Sequence, residues 1–264
     1  MTGSSLPDAL RALNVLIVDD HEINREFLSI GLADKVARVE TSADGASAVE
    51  RCRTESFDVI LMDLHMPQMD GLATAHRIRD LPGSSARSRM IVLTADARPE
   101  QRERLLAAGF DAYLNKPLSI TDLIEALTEL FEPQHGRKAR HDGDSPRTTP
   151  LIDWTCALAA ANGQEKTAAR LAQMLGRELQ ERLPELDRML AEGRKQEAAA
   201  LLHQWAGAGG FAGAMQFSNA CSILCRRLIQ ADPSSPGTAY AEFLRTAGAT
   251  RQALTGRAEG LEPI

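Results

Sequence analysis

The chain has few of the residues that mark several common classes of protein. Aromatic residues make up only 4% of its 264 residues, and its four cysteines are Cys52, Cys156, Cys221 and Cys225. Because their spacing matches neither a disulfide framework nor a zinc site, we expect reduced thiols in a cytoplasmic protein. No apolar run approaches the ~20 residues that span a bilayer, and no signal region opens the chain, so no membrane partner is expected.

The chain also lacks an excess of basic residues and a glycine-rich phosphate loop. Its 30 lysines and arginines are outnumbered by 36 acidic residues, which gives a net charge of −6. This acidic balance argues against nucleic acid as a partner and disfavours a DNA-binding regulator. Without a Walker-type or kinase-type glycine loop, we do not expect a nucleotide donor bound here, or a kinase. What is present, 44% hydrophobic and 25% charged residues, is typical of a soluble globular protein of two domains.

The first half of the chain alternates short apolar runs with amphipathic stretches. Five such runs are predicted to be strands: residues 14–18, 36–41, 59–62, 90–93 and 112–115. Each is followed by a predicted helix, so the pattern indicates a flavodoxin-like, doubly wound parallel sheet with strand order 2-1-3-4-5. We interpret residues 1–12 as a flexible leader, 13–132 as this domain, and the polar, Pro- and Gly-containing residues 133–150 as a linker.

Acidic side chains follow two strands that this order makes neighbours. Asp19 and Asp20 follow the first strand, and Asp63 ends the third, so all three carboxylates should meet at one edge of the sheet. A strand-terminal Asp often only caps a turn, but three crowded carboxylates call for a cation, and oxygen ligands favour Mg²⁺. Lys116 and Thr94, after the fifth and fourth strands, would then address a phosphoryl group. These parts fit phosphoryl transfer with Asp63 as nucleophile.

Residues 14–131 resemble the receiver domain of two-component response regulators. The resemblance rests on these matches: Asp19-Asp20, Leu61-Met62-Asp63, Met66-Pro67-x-Met69-Asp70-Gly71, Thr94-Ala95 and Lys116-Pro117. It implies that a sensor histidine kinase is a partner and that Asp63 accepts its phosphoryl group.

The same resemblance implies a ligand set and a switch. Mg²⁺ would be held by Asp20, by Asp63 and by the backbone carbonyl of His65, with Asp19 acting through water. Thr94 and Tyr113 would change position together when Asp63 is phosphorylated. The resemblance also implies a cis bond before Pro117.

The second half of the chain holds no strand-like pattern. Helices are predicted over residues 153–161, 164–191, 194–209, 214–231 and 238–254. Pro184 should bend or interrupt the second of them. We therefore expect an all-α helical bundle over residues 151–256, followed by a tail at 257–264.

One histidine stands out in this second half. On a wheel of residues 194–209, His203 lies about 150° from the centre of the apolar sector and should face outward. The residues predicted to surround it are small and would leave room for a partner protein to dock: Ala199, Ala206, Gly207 and Gly210. A lone histidine on a polar helix face is usually only solvated, so the small neighbours are what raise interest in it.

The pattern His203-x-x-x-Gly207-x-x-Gly210-x-x-Gly213 resembles histidine phosphotransfer (Hpt) domains, as does Ile152-Asp153-Trp154. This resemblance implies that His203 relays phosphoryl groups to or from a docked receiver, as in the C-terminal part of hybrid sensor kinases. That family often has Lys three residues after the histidine, where this chain has Ala206. Two functions therefore stay open: a phosphorelay protein, or a receiver-controlled interaction protein whose degenerate Hpt-like domain binds or inhibits a partner without carrying phosphate.

Overall fold

The structure, a computed structural model, describes residues 8–94, 99–116, 118–132, 150–161, 163–230 and 236–258. The chain divides into two compact units, Met1–Asp144 and Ser145–Ile264. Most of the predicted linker, residues 133–149, lies outside the described residues, and so does the end of the predicted tail. Among the helices that are described, none has the length and hydropathy needed to cross a membrane.

The first unit is built on a five-stranded parallel sheet. Its strands are β1 (Asn14–Val18), β2 (Arg38–Ser42), β3 (Val59–Asp63), β4 (Arg89–Thr94) and β5 (Ala112–Asn115). The order is β2-β1-β3-β4-β5, which confirms the predicted flavodoxin-like topology. Val18 pairs with Met62, Asp63 with Leu93, and Thr94 with Asn115, so the carboxyl ends of four strands lie level at one edge.

Helices cover both faces of this sheet. They are α1 (Asp8–Arg11), α2 (Glu22–Leu32), α3 (Gly45–Thr54), α4 (Gly71–Arg79), α5 (Pro99–Ala107) and α6 (Ile120–Phe131), with a 3₁₀ turn at Ser84–Arg87. Alternate strand residues, such as Leu16 and Ile60, pack with buried residues of α3, α4 and α5. The intervening residues, such as Ile17 and Leu61, are equally buried, so the opposite face is covered as well.

The expected flexible leader is wrong for residues 8–11. These residues form α1, which contacts α6, and Leu10 is completely buried. Leu10 anchors this single turn against the domain, but a helix of four residues is too short to show a periodic pattern.

The second unit is all-helical. Its helices are α7 (Trp154–Ala160), α8 (Glu165–Ala191), α9 (Lys195–Phe211), α10 (Met215–Gln230) and α11 (Pro236–Ala258). Each of the four long helices contacts the next, and α11 returns to α8, so the four form a closed ring. Pro184 does not interrupt α8. Both Pro184 and Gln180 are exposed, so solvent can hydrogen-bond the carbonyl that the proline ring leaves without a partner.

Three aromatic side chains fill the centre of this ring. Trp205, Phe217 and Phe243 are fully buried, and their ring centroids lie 6.0 to 6.2 Å apart. The indole Nε1 of Trp205 donates a hydrogen bond to Glu178 Oε1 at 3.0 Å, which satisfies its only polar atom. One residue each from α9, α10 and α11 therefore holds the helices together.

Phe217→Ala should destabilise the second unit by about 3–5 kcal/mol, because it removes a fully buried ring and leaves a cavity. Both tryptophans of the chain, Trp154 and Trp205, belong to this unit, so denaturant unfolding followed by tryptophan fluorescence reports on it alone. The matched control is Ile223→Ala on the same helix, whose side chain is 46% exposed and should cost well under half as much. Equal losses in the two variants would contradict the assigned core.

Candidate functional site

Three carboxylates meet at the carboxyl edge of the sheet. Asp19 and Asp20 directly follow β1, and Asp63 is the last residue of β3. One oxygen from each of them lies within 4.8 Å of the other two. Asp19 and Asp63 are buried and Asp20 is half-buried, so the cluster is a partly enclosed group of like charges. The predicted acidic trio is therefore brought together.

Lys116 bridges two of these carboxylates. Its Nζ lies 2.9 Å from Asp19 Oδ2 and 2.9 Å from Asp63 Oδ1, and its side chain is only 5% exposed. The backbone N–H of Lys116 donates to the carbonyl oxygen of Thr94 at 2.6 Å, which fixes the start of the loop after β5 beside the end of β4. Burial would lower the pKa of Lys116, but the charges of Asp19 and Asp63 outweigh it and raise the pKa. The lysine is therefore a permanent cation.

Asp19 is held by several donors at once. Its Oδ1 accepts from the backbone N–H of His21 at 2.9 Å, and Asn24 Nδ2 reaches both carboxylate oxygens at 3.0 and 3.1 Å. With Lys116, these bonds occupy most of the lone-pair positions of the carboxylate. Asn24 is a site residue that the sequence reasoning missed. The sequence carries no local signal for it: Asn24 is a polar residue in the first turn of α2, and only the fold shows that it is buried against Asp19.

The negative charge of Asp63, in contrast to that of Asp19, is not fully compensated by its surroundings. Burial raises its pKa to about 7; Lys116 works against the shift, and the neighbouring charges of Asp19 and Asp20 add to it. Ionised Asp63 is thus costly here unless additional positive charge enters the site.

The turn after β3 is shaped around the backbone of Asp63. A Cβ at Gly71 would lie 2.2 Å from the carbonyl oxygen of Asp63, so no other residue fits without moving that strand end. Gly71 N–H donates to the carbonyl of Leu64 at 3.0 Å, and the Asp70 carboxylate caps α4 by accepting from Ala73 N–H at 2.7 Å. Gln68 has φ +66°, a left-handed conformation that is uncommon for a side-chain-bearing residue. The hydrogen bonds and close contacts of this turn therefore fix the end of β3 and the position of Asp63.

The other predicted receiver residues occupy the positions expected for them. Thr94 is fully buried at the end of β4, and Tyr113 on β5 is half-buried against the core. His65 lies in the exposed loop two residues past Asp63. Its carbonyl as a ligand and the joint movement of Thr94 and Tyr113 stay predictions. Pro117, with its predicted cis bond, lies outside the described residues.

The acidic trio has the donor set of a magnesium site. All three ligand candidates are carboxylate oxygens, and no sulfur or imidazole donor belongs to the group. The raised pKa of Asp63 is a second observation in favour of a cation, since the buried charge lacks full compensation. The residues present therefore fit a hard divalent ion.

In the second unit, His203 lies on α9 and is half-buried. The predicted docking surface around it is wrong: Ala199, Ala206, Gly207 and Gly210 are all buried. Helix α10 packs on this side of α9, where Ser218 Oγ donates to the Ala206 carbonyl at 2.6 Å and Cys225 Sγ to the Ala199 carbonyl at 3.4 Å. Small side chains let two helix backbones approach closely, so here they serve helix packing and not an open face.

Comparison with known families identifies the first unit. The family model described as the response regulator receiver domain matches residues 15–128. Residues 15–128 are a response regulator receiver domain. Receiver domains are signalling domains that accept phosphoryl groups and are not kinases. The receiver domain of this chain is related to those of two-component sensor kinases.

Two curated relatives align over more than the receiver domain. The signal transduction histidine-protein kinase BarA of Shigella flexneri is 32% identical over 224 residues, which cover 82% of this chain and 24% of that protein. The sensor histidine kinase AruS of Pseudomonas aeruginosa is 32% identical over 209 residues, 78% of this chain and 20% of that protein. Both alignments are longer than the first unit, so they extend into the helical unit. The chain spans about a quarter or less of the length of these relatives.

Among solved structures, the receiver domain of the sensor histidine kinase PA1611 of Pseudomonas aeruginosa is 31% identical. The structural alignment covers 46% of this chain and 97% of the PA1611 chain, with a TM-score of 0.41. That structure has a magnesium ion coordinated in its active site cleft.

In the presence of a chelator, Asp63→Asn should raise the melting temperature of the receiver domain at pH 8. The folded-state pKa of about 7 lies above the unfolded value near 3.9, so the stability that neutral Asp63 contributes is present below pH 4 and lost as the pH rises through 7. Asn cannot ionise and escapes this loss. We expect a gain of ~5 °C or more at pH 8 that shrinks toward pH 4, measured by calorimetry.

Asp80→Asn, an exposed position at the end of α4, is the control and should shift the melting temperature little at either pH. A stabilisation by Asp63→Asn that is the same at pH 4 and pH 8 would show that titration of this carboxylate is not its cause.

Proposed function

We propose that this chain is a phosphorelay protein with two phosphate-carrying residues. Asp63 accepts a phosphoryl group from a sensor histidine kinase, and His203 relays phosphoryl groups to or from a receiver aspartate. The observation that carries the proposal is the bridge of Lys116 between Asp19 and Asp63 within the acidic trio. It places a fixed cation beside the one carboxylate that ends a strand at the sheet edge.

The residues divide the work of transfer at Asp63. A carboxylate oxygen of Asp63 forms the new P–O bond, while the P–N bond to the donor histidine breaks and the imidazole leaves with its electron pair. Lys116 can neutralise part of the negative charge of the incoming phosphoryl group, because its Nζ already lies 2.9 Å from Asp63 Oδ1. Thr94, at the end of the adjacent strand, is the proposed hydroxyl donor to a phosphoryl oxygen, and with Tyr113 it forms the proposed switch.

Mg²⁺ is the proposed cofactor, held by Asp20, Asp63 and the carbonyl of His65. When bound, it would neutralise charge on the phosphoryl oxygens and on the carboxylates. Asp19 accepts hydrogen bonds from His21, Asn24 and Lys116, so it has little free capacity for a direct metal bond. This supports the role implied for Asp19, in which it holds the ion through water.

Three observations support a relay role for His203. It is half-buried on a helix of a four-helix ring, and because its Nε2 is buried, a docking partner would have to uncover that nitrogen. The sequence pattern around it resembles Hpt domains. Finally, similarity to the two sensor kinases extends beyond the receiver domain into this unit. A receiver docking at His203, upstream or downstream in the relay, is the proposed partner.

A second function is favoured by the environment of His203. Ala206 stands where a lysine would help to neutralise phosphoryl charge, and α10 covers the side of α9 that carries it. A helical unit with these features could bind or inhibit a partner under receiver control without carrying phosphate. The two functions differ in one observable property, namely whether His203 becomes phosphorylated.

Asp63→Asn should abolish labelling of the receiver domain by a phosphorylated kinase or by a small donor such as acetyl phosphate. The same loss should follow from chelating Mg²⁺ in the wild-type chain, because Lys116 offsets only part of the trio's negative charge and a phosphoryl group needs a further cation. The measurement is acid-stable, base-labile phosphate bound to the intact chain. Asp80→Asn should label normally, and robust labelling of Asp63→Asn would exclude Asp63 as the acceptor.

The relay role is tested in the full chain carrying Asp63→Asn, so that any phosphate gained lies outside the receiver aspartate. Separately purified receivers, phosphorylated beforehand, should transfer phosphate to this chain as acid-labile, base-stable label. Adding His203→Gln should remove the label, whereas adding His76→Gln, an exposed histidine of α4, should not. Absence of label with every receiver tested would favour the binding-module function.

A further inference from the structure

The contact between α9 and α10 fixes which residues of α10 lie beside His203. Ser218 contacts the Ala206 carbonyl and Cys225 contacts the Ala199 carbonyl, so seven residues on one helix match seven on the other in opposite directions. The two helices are therefore antiparallel along this seam. His203 lies on α9 between the two contacts, and Ser222 lies between them on α10.

Both of these residues turn to the outer side of the seam. His203 comes one helical turn after Ala199, and Ser222 one turn after Ser218, so each is rotated about 40° from the contact line. In antiparallel helices that rotation carries both to the same side. The burial pattern agrees: Leu202 and Cys221 on the other side are buried, whereas His203 and Ser222 are half-buried.

Arg226 extends this outer row by one more turn of α10. Its side chain is exposed, and among the described residues it forms no ion pair or hydrogen bond. Helical side chains lean toward the N-terminus of their own helix. On antiparallel helices Arg226 therefore leans toward Ser222 while His203 leans toward Ala199, and the two approach each other along the seam.

Other basic residues nearby are placed less well. Lys195 lies on α9 two turns before His203 and leans further away from it, toward the N-terminus of its helix. Arg194 is paired with Glu192 and Glu197. Arg227, next to Arg226, is rotated by another 100° and points away from α9. Arg226 is thus the basic residue of α9 and α10 that this geometry brings to His203.

We infer that Arg226 is the phosphoryl-binding cation of the His203 site. It would take the place of the lysine that Hpt domains often have at the position of Ala206. The inference rests on the proposed relay function. A neutral ring nitrogen of His203 forms the N–P bond, the acyl P–O bond of the donor aspartyl phosphate breaks, and the carboxylate leaves. The phosphoryl oxygens keep their negative charge throughout, and the guanidinium can hold two of them with parallel hydrogen bonds.

The test measures transfer to the full chain carrying Asp63→Asn, from a phosphorylated receiver and, separately, from phosphoramidate. Arg226→Ala should slow both reactions at least about tenfold, the scale of one lost hydrogen bond to a charged group. Arg226→Lys should keep most of the rate. Arg227→Ala is the matched control and should leave both rates unchanged. Circular dichroism and tryptophan fluorescence check that each variant is folded.

The outcomes separate the two proposals. Equal rates for Arg226→Ala and Arg227→Ala, with His203 still labelled, would overturn the role of Arg226 and leave the relay function standing. Slowing with the receiver but not with phosphoramidate would make Arg226 a partner-docking residue, which also overturns phosphoryl binding. If neither donor labels His203 in the parent chain, the relay function and the Arg226 role fall together.

Discussion

The site at the edge of the sheet depends on one buried ammonium group between two buried carboxylates. Lys116 arrives after β5, Asp19 after β1 and Asp63 at the end of β3, so a single cation links three strand ends. Removing the lysine from this group would leave two buried carboxylates without compensation, which costs several kcal/mol. The cation offsets only part of the repulsion, and Asp63 keeps a raised pKa. The burial and the excess of negative charge that raise this pKa also favour the binding of a further cation, and with it a phosphoryl group.

The helical unit is organised by a constraint of a different kind, close backbone packing. Alanines and glycines along α9 allow α10 to approach until side chains of one helix reach backbone carbonyls of the other. This seam fixes the register of the pair and leaves His203 at its outer edge. Reactive groups in the two units are thus positioned by opposite means, by charge in the receiver domain and by the lack of side-chain volume in the helical unit.

Much of this arrangement could be predicted from the sequence, because apolar runs and turn residues are local signals. The five strands, their order and the convergence of Asp19, Asp20, Asp63 and Lys116 follow from such signals together with the rules for parallel sheets. The start of β2 could not be placed, since Val36 is apolar but its N–H closes the end of α2 onto Leu32. Asn24 was missed for a related reason: nothing local shows that a polar residue of a helix will reach a carboxylate on a strand.

The surface of α9 shows a more general limit. A helical wheel assigns one apolar sector to the core, and Ala206 and Gly207 fall near His203, away from that sector, so it assigned them to the outside. Helix packing depends on how near two backbones can come, and for that purpose small residues are the best ones to bury. The partner that covers them, α10, begins only a few residues after α9 ends, but its side of approach is a tertiary property.

Gly71 shows how little of the receiver site is visible in a list of reactive groups. It has no side chain, donates one backbone hydrogen bond to Leu64, and takes no part in chemistry. Yet the single extra carbon of alanine would lie 2.2 Å from the carbonyl oxygen of Asp63. In a map of mutational tolerance this position would therefore be intolerant in the same way as Asp63, the proposed phosphate acceptor, so such a map records the space around a reactive group as well as the group.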